Sequence, residues 1–413
     1  MKRVVLLPAV IFSLLILFGC SSESKKATTT PNTSTADQEN ALADDALANG
    51  DYTTANTHYK AALAADPTNT RANLGAAVTE VDLVQNDPQV SSLVDQLQGV
   101  VPVPAARASR AGARMMGKLG LSNGRLYDPS SVGRMMAKLV LKATSDPPLL
   151  SEVQDAIKNK VLPKLQYAED RLNVMESNPN FELLLPPAMT DGPDTIEVDL
   201  GDIRVLDAVV NQTQGWLGVV MAYNFDIPNP TELVPLDSLL GASTDFGKLN
   251  SDGAGWLTAA RADLQQSHVE FSAGVAAINA ETDNQDNDVI PQTALQEQGF
   301  LDFQSHFDDV DQSLNGPVDV TVKDYQNVDQ TIQVQLKNFF TSPITDWKTK
   351  FPNHDFDPTT GDPRVLDPIT FPDPTFNGIF PNLTNLGWQG LIGPVGPRPP
   401  GLRALRALRA FRR

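Results

Sequence analysis

The 413-residue chain contains one cysteine and four histidines, so it has few of the side chains that soft metals and redox chemistry require. A single cysteine cannot form a disulfide within the chain, and packing must therefore hold the fold together. No pair of histidines stands at the spacing of a helical zinc motif, which excludes that class of site. We therefore predict no catalytic residue, no metal ligand and no cofactor. The histidines are His58, His268, His306 and His354.

Positive charge and long apolar runs are scarce as well. The chain has 32 lysines and arginines against 50 acidic residues, and its formal net charge is −18. A body with this charge is repelled by nucleic acid, and we expect no nucleic-acid partner. After residue 18, no apolar run approaches the roughly 20 residues that cross a bilayer as a helix. Any attachment to a membrane must therefore come through a lipid that the chain carries.

The first 20 residues have the pattern of an export signal. Lys2 and Arg3 precede an apolar run over residues 4–18, which ends in Leu17-Phe18-Gly19-Cys20. These four residues resemble a bacterial lipobox. The resemblance implies cleavage before Cys20, a diacylglycerol on its thiol and anchoring in the cell envelope; Ser21 implies the outer membrane in a cell with two membranes. An ordinary signal peptide and an uncleaved anchor are the alternatives.

Residues 39–67 follow the pattern of a helical hairpin with many small side chains and one central aromatic ring. Small residues let two helices approach closely, a tyrosine fills the space between them, and a proline ends the second helix. The pattern resembles a tetratricopeptide repeat, and residues 72–76 resemble the start of a second one. One repeat cannot bury its own apolar face, so we expect it to stack on the helices that follow. The resemblance implies that the repeat is packed by Leu42, Ala43, Ala46, Gly50, Tyr52, Ala55, Tyr59, Ala62 and Pro67.

A basic segment lies between residues 105 and 142, and it holds an internal repeat. Arg114-Met115-Met116 returns 20 residues later as Arg134-Met135-Met136, and each copy is followed by a lysine, Lys118 or Lys138. Helical spacing puts methionine and leucine of each copy on one face beside these cations. The four cations could bind an anionic headgroup or an acidic partner. The favoured interpretation is that the methionines are core and the long cationic side chains lie along its edge.

From residue 146 onward, the spacing of apolar residues predicts long amphipathic helices with a few short strands. The helix over 203–224 has a wide apolar face, and we expect it at the centre of the core. Pro163 should kink the helix in which it lies. Strand pairs are predicted at 181–185 with 195–200 and at 318–322 with 332–336.

Two acidic segments, 283–288 and 355–362, are rich in the oxygen ligands that calcium prefers. Neither has the register of an EF-hand, and the favoured interpretation is that both are solvated loops. Residues 351–400 are rich in proline and aspartate but carry scattered aromatic residues, which predicts an extended segment that inserts rings into the helical body. The arginine-rich end, 401–413, is interpreted as a low-complexity tail, with phosphate binding as the alternative.

These observations predict a mainly α fold. A tetratricopeptide-like hairpin packs on a larger α-rich domain with one or two small β-hairpins, and a proline- and aspartate-rich segment extends along it. With the lipobox, this organisation resembles the tetratricopeptide-containing lipoproteins of bacteria, a resemblance that implies no particular activity. The expected parts are a signal peptide at 1–19, a tether at 20–36, repeat-like hairpins at 37–100, basic helices at 101–145, the α-rich domain at 146–350, the extended segment at 351–400 and the tail at 401–413.

Two classes of function fit this sequence. The favoured class is a non-enzymatic binding or scaffold protein of the envelope, held by its lipid and binding a protein partner through helical-repeat surfaces. The alternative is an envelope enzyme or a solute-binding lipoprotein with a site around the helix over 203–224. Converging carboxylates in an enclosed site favour the alternative, and an open helical groove favours the scaffold. Candidate residues for the alternative site are Asp199, Asp202, Tyr223 and Asp226.

Overall fold

The structure is a computed structural model. It describes residues 32–85, 87–90, 149–185, 195–226, 240–241, 244–356, 363–366 and 368–393. None of the helices within these ranges is long and apolar enough to span a bilayer. Three predictions lie outside the described residues: the lipobox with Cys20, the arginine-rich tail, and the basic patch of Arg114, Lys118, Arg134 and Lys138.

Most of the described chain is helical, and small antiparallel strand pairs accompany the helices, which confirms the predicted mainly α fold. A π-helical segment, Ile157–Val161, joins the helices α4 (Leu150–Ala156) and α5 (Leu162–Glu176). The α-helices whose bounds fall within the described residues are α1 (Thr33–Ala48), α2 (Tyr52–Ala65), α3 (Thr70–Gln85), α4 (Leu150–Ala156), α5 (Leu162–Glu176), α6 (Leu200–Val220), α7 (Gly253–Ala280), α8 (Gln298–Asn315), α9 (Lys337–Thr341) and α10 (Asn385–Ile392).

Helices α1 and α2 form the predicted hairpin. The side chain of Asp51 caps α2 by accepting a backbone hydrogen bond of 3.0 Å from its first turn, and Gly50 takes the positive φ of 73° that the turn requires. At the centre of the hairpin, Tyr59 is fully buried among alanines, and its hydroxyl donates to Asp44 at 2.9 Å. Helix α3 closes over this ring at Gly75, where any Cβ atom would clash with the ring carbons.

The structure describes all nine residues that the repeat pattern names. The pattern predicts that Leu42 packs in the hairpin, but 50% of its surface is exposed in the structure. The face of α1 that meets α2 runs through Ala36, Asn40 and Ala43, and Leu42 lies about 100° from Ala43 around the helix axis. Buried or half-buried in the hairpin are Ala43, Ala46, Tyr52, Ala55, Tyr59 and Ala62, while Gly50 and Pro67 lie in the turns after α1 and α2.

Three helices, α5, α6 and α7, form the centre of the molecule, and α6 packs against both of the others. Helix α6 is buried over most of its length, which confirms its predicted central position. Gly215 allows α7 to come close, since a Cβ atom there would lie 2.7 Å from Cγ of Leu264. Pro163 is the second residue of α5, and the π-helical segment ends two residues before it, so the regular α-helical hydrogen bonding is already interrupted where proline removes a backbone donor.

Short antiparallel strand pairs accompany the helices. The pairs β1 (Glu182–Leu185) with β2 (Ile196–Asp199) and β5 (Val318–Lys323) with β6 (Asp329–Val334) confirm the two that were predicted. Two further pairs, β3 (Tyr223–Asn224) with β4 (Lys248–Leu249) and β7 (His354–Phe356) with β8 (Pro363–Val365), were not predicted. Strands of two or three residues are too short for an alternating pattern to reveal.

The C-terminal segment carries aromatic rings into the core, as predicted. Phe371, Phe380 and Trp388 are buried. The centroid of the Trp388 ring lies 5.1 Å from that of Phe371 and 5.4 Å from that of Phe380. The segment is not extended throughout, because it contains the short helix α10. The side chain of Thr384 caps this helix.

Candidate cation site

Two acidic stretches that are distant in sequence meet at one end of the three-helix unit. Helix α6 begins there. Asp199 ends strand β2 and caps the helix, since its Oδ1 accepts a hydrogen bond from the backbone N–H of Asp202 at 3.0 Å. In return, Oδ2 of Asp202 accepts from the backbone N–H of Asp199 at 3.2 Å. This reciprocal capping box fixes both carboxylates at the start of the helix.

The other stretch begins where α7 ends. Glu281 directly follows the last residue of α7, and the loop after it runs beside strand β2. The backbone N–H of Glu197 donates to the carbonyl of Asn287 at 2.9 Å, and that of Val289 donates to the carbonyl of Glu197 at 3.2 Å. These two hydrogen bonds hold Asp288, which lies between Asn287 and Val289, against the end of β2.

The side chains of these stretches converge. One carboxylate oxygen from each of Asp199, Glu281 and Asp288 lies within 4.8 Å of the other two. Asp288 is buried and the other two are half-buried, so the group opens to solvent on one side. Asp202 lies beside them and is only 4% exposed, and its Oδ1 is buried without a hydrogen-bond partner among the described residues. We call these four residues the outer acid site.

Burial and repulsion between the carboxylates raise the pKa values of Asp202 and Glu281, so these groups keep their protons to higher pH. Burial raises the pKa of Asp202 well above its usual range, and the charges of Asp199, Glu281 and Asp288 add to the effect. Burial and the charge of Asp199 also raise the pKa of Glu281, and a hydrogen bond between these two carboxyl groups contributes. A cation that entered the site would therefore displace protons, and its affinity would rise with pH.

Carboxylate oxygens are the ligands that hard cations such as Ca²⁺ and Mg²⁺ prefer. Calcium is held about 2.3–2.6 Å from its ligand oxygens, so two ligands on opposite sides of it lie up to about 5 Å apart. The spacing of the oxygens of Asp199, Glu281 and Asp288 is within that limit. Water and backbone carbonyls fill the remaining positions in sites of this kind, which suits a group that is open to solvent on one side.

The structure separates the four residues that the sequence grouped around the central helix. Asp199 and Asp202 lie in the outer acid site, whereas Tyr223 and Asp226 lie beyond the other end of α6, about 30 Å away along the helix. The ring of Tyr223 is buried against that of Trp347, with centroids 5.8 Å apart. Asp226 accepts a hydrogen bond from the backbone of α4. These last two residues support the fold at the far end of the bundle.

Sequence reasoning found part of the site and missed part. The acidic segment 283–288 was interpreted as a solvated loop with calcium binding as the alternative, and its last residue, Asp288, is buried among the carboxylates. Glu281 was missed, although its position directly after a long helical pattern was a signal that it lies at a helix end. Most of the other acidic segment, 355–362, lies outside the described residues.

Comparison of the chain with known protein families, characterised proteins and solved structures returned no match. A function for this chain must therefore be inferred from its own residues.

Proposed function

We propose that the chain is a lipid-anchored protein of the cell envelope that binds its ligands without transforming them. One of these ligands is a divalent cation of the calcium class, held in the outer acid site. The observation that carries the proposal is the convergence of three carboxylate oxygens within 4.8 Å of one another, beside an Oδ1 of Asp202 that no described residue pairs. A hard cation held by these three oxygens cancels the repulsion between the carboxylates and lowers the cost of their burial.

The cation also joins three parts of the chain. Its ligands come from the start of α6, the end of α7 and the loop that follows α7, so binding ties this loop to the helical bundle. Calcium sites of extracellular modules have dissociation constants of about 0.1–1 mM. A site that is partly open to solvent and must release protons suits that range. An envelope location exposes the protein to such concentrations.

A second candidate is the scaffold role, in which a protein partner binds the helical-repeat layer. It is favoured by a cavity of about 470 Å³ where this layer meets α5. Lys60, Lys160, Lys164 and Tyr167 line the cavity together with the acids Glu80 and Asp87, and Lys60 and Lys164 share Glu80 as an ion-pair partner. The three cations outnumber the two acids, which suits an acidic side chain of a partner. Crosslinking in cells tests this role: a partner lost in Lys160→Glu supports it, and an unchanged set of crosslinks opposes it.

Calorimetric titration of CaCl₂ into the full chain in detergent tests the cation proposal. Glu281→Gln removes one ligand and one charge from the outer acid site without disturbing the cap of α6. We expect it to weaken calcium binding at this site at least about tenfold, which corresponds to about 1.4 kcal/mol of binding free energy. The affinity of the unaltered protein should rise with pH as the carboxyl groups ionise.

Asp286→Asn is the matched control, because Asp286 is an exposed acid in the same loop and its substitution makes the same change in net charge. Its calcium affinity should stay within about twofold of that of the unaltered protein, since an exposed charge contributes little. An equal loss of affinity in both variants would show that only the general negative potential attracts calcium. That result, or no heat of binding at millimolar calcium, contradicts the proposal.

The lipid anchor is tested separately. Cys20→Ser removes the thiol that the lipobox resemblance assigns to the diacylglycerol, and we expect the protein to leave the membrane fraction for the soluble one. Fractionation of cells followed by immunoblotting measures the shift. If the variant stays in the membrane fraction, the basic segment at 105–142 or the arginine-rich tail is the anchor instead.

A further inference from the structure

A second group of acids lies in the interior of the three-helix unit, where each helix supplies one. Glu176 is the last residue of α5, Asp207 lies in the first half of α6, and Glu270 lies in the second half of α7. One carboxylate oxygen of each lies within 4.8 Å of the other two. Asp207 is 1% exposed and Glu270 is 9% exposed, so two of the three are removed from water. We call these three residues the interior acid cluster.

Amide side chains fix two of these carboxylates. Asn211 donates to Oδ2 of Asp207 at 3.0 Å, and Gln266 donates to Oε1 of Glu270 at 2.6 Å. The other oxygen of Asp207, Oδ1, is buried and has no hydrogen-bond partner in the described part of the chain, and the same holds for Oε1 of Glu176. A buried oxygen without a hydrogen-bond partner is destabilising, so a proton or a cation at these oxygens would stabilise the cluster.

The charged groups around the cluster do not neutralise its negative charge. Arg204 acts on Glu176 as the facing cation, but Glu169 and Glu270 act on the same residue as anions. Burial raises the pKa of Asp207 to about 9, and the charges of Glu176, Glu169 and Glu270 contribute. Burial and the charge of Glu270 likewise raise the pKa of Glu176. Buried carboxylates in this arrangement are stable only with bound protons or with a bound cation.

We propose that the interior acid cluster is a site for a hard divalent cation, distinct from the outer acid site. Three carboxylates from three helices hold Mg²⁺, Mn²⁺ or Ca²⁺ through oxygen, with water completing the coordination shell. Imidazole or thiolate ligands would favour zinc or copper, and the three members of the cluster supply neither. Glu176 is half-buried, and it marks the side from which the cation and its water enter.

The two acid sites lie on the same helix but cannot share an ion. Asp207 lies about 12 Å further along α6 than Asp199, at about 1.5 Å per residue. A cation in the interior cluster links α5, α6 and α7 directly, whereas one in the outer acid site links α6 and α7 to a loop. The inference therefore goes beyond the proposed function and depends on neither the outer acid site nor the lipid anchor.

Equilibrium dialysis against MnCl₂ tests the proposal, with free Mn²⁺ measured by its electron paramagnetic resonance signal. The protein is the full chain in detergent carrying Glu281→Gln, which disables the outer acid site. Adding Asp207→Asn should remove one bound Mn²⁺ per chain, or weaken its binding at least about tenfold. Asp263→Asn is the matched control, because Asp263 is another carboxyl on α7 whose pKa burial raises, to about 7, and it lies outside the cluster.

We expect the Asp263→Asn protein to keep the bound Mn²⁺ that the Asp207→Asn protein loses. If Asp207→Asn does not give the helical circular dichroism of the parent, Glu270→Gln takes its place in the same comparison. Equal Mn²⁺ binding in test and control variants overturns the interior site. If Glu281→Gln by itself removes all of the bound Mn²⁺, the outer acid site is supported and the interior one is overturned. If Glu281→Gln removes none of it and the added Asp207→Asn removes all of it, the interior site is supported and the outer one is overturned.

Discussion

Without divalent cations, the protein should lose stability as the pH rises from about 5 to about 8. Burial raises the pKa of Asp207 to about 9 and that of Asp263 to about 7 in the folded protein, whereas an aspartate in an unfolded chain ionises near about 3.9. A raised folded-state pKa contributes stability that is complete below the unfolded pKa and is lost as the pH rises through the folded one. Asp207 should lower the free energy of unfolding by about 1.4 kcal/mol per pH unit across this window, and Asp263 should add a similar slope only up to about pH 7.

The groups around Asp207 do not oppose this trend. Glu169 and Glu176, on α5, also have pKa values that burial raises, so they act in the same direction. Glu270, the third member of the cluster, and Arg204 on α6 are the other charged groups that act on Glu176. A carboxyl with a lowered pKa, such as Asp373 at about 2, loses its contribution only below about pH 4. Its titration therefore lies outside the window.

Denaturant titrations in EDTA at about pH 5, 6.5 and 8 measure this effect. Asp207→Asn cannot ionise, so its free energy of unfolding should depend on pH less steeply than that of the unaltered protein, by about 1.4 kcal/mol per pH unit. Added MnCl₂ at about pH 8 should stabilise the unaltered protein more than the variant, because the cation binds the folded state. Identical pH dependence in the two proteins would rule out a protonated Asp207.

Replacing Tyr59 by alanine should destabilise the repeat-like hairpin by about 3–5 kcal/mol. The ring is fully buried where α1, α2 and α3 meet, and Gly75 leaves no side chain that could fill the space. The substitution also removes the hydroxyl that donates to Asp44, whose carboxylate pairs with Arg71 at 2.6 Å. Tyr59→Phe keeps the ring and should cost only about 1 kcal/mol.

Leu42→Ala is the control for this prediction, because the repeat pattern predicts that both residues pack and only Tyr59 does. Leu42 is 50% exposed, and its truncation should change the free energy of unfolding by less than about 0.5 kcal/mol. Unfolding by denaturant, followed by far-ultraviolet circular dichroism, measures all three variants. If Leu42→Ala is as damaging as Tyr59→Ala, the face of α1 that meets α2 has been assigned incorrectly.

Local patterns predicted most of the fold. The alternation of Val318, Val320 and Val322 with polar residues predicted β5, and the spacing of apolar residues predicted α6 and α7. The helix predicted over 203–224 ends at Val220 in the structure, because Tyr223 pairs with Leu249 in a short strand. The apolar spacing continues through Tyr223, so the sequence contains no signal for this ending.

The acid sites could be predicted only in part. Asp199 and Asp202 are neighbours at the start of a helix, so the sequence alone placed them together. Glu281 reaches them only because α7 returns beside α6, where Gly201 allows Ile278 to come close. In the sequence, each member of the interior acid cluster looks like a polar residue on the exposed side of an amphipathic helix. Its burial depends on how three helices pack, and a local pattern does not contain that information.

The central claim is that the acids along α6 bind divalent cations. X-ray diffraction from crystals of the protein grown with MnCl₂, recorded at the manganese absorption edge, tests it most directly. Anomalous peaks are expected between the carboxylates of Glu176, Asp207 and Glu270 and between those of Asp199, Glu281 and Asp288. Manganese peaks at other positions, with none between these carboxylates, would contradict the claim.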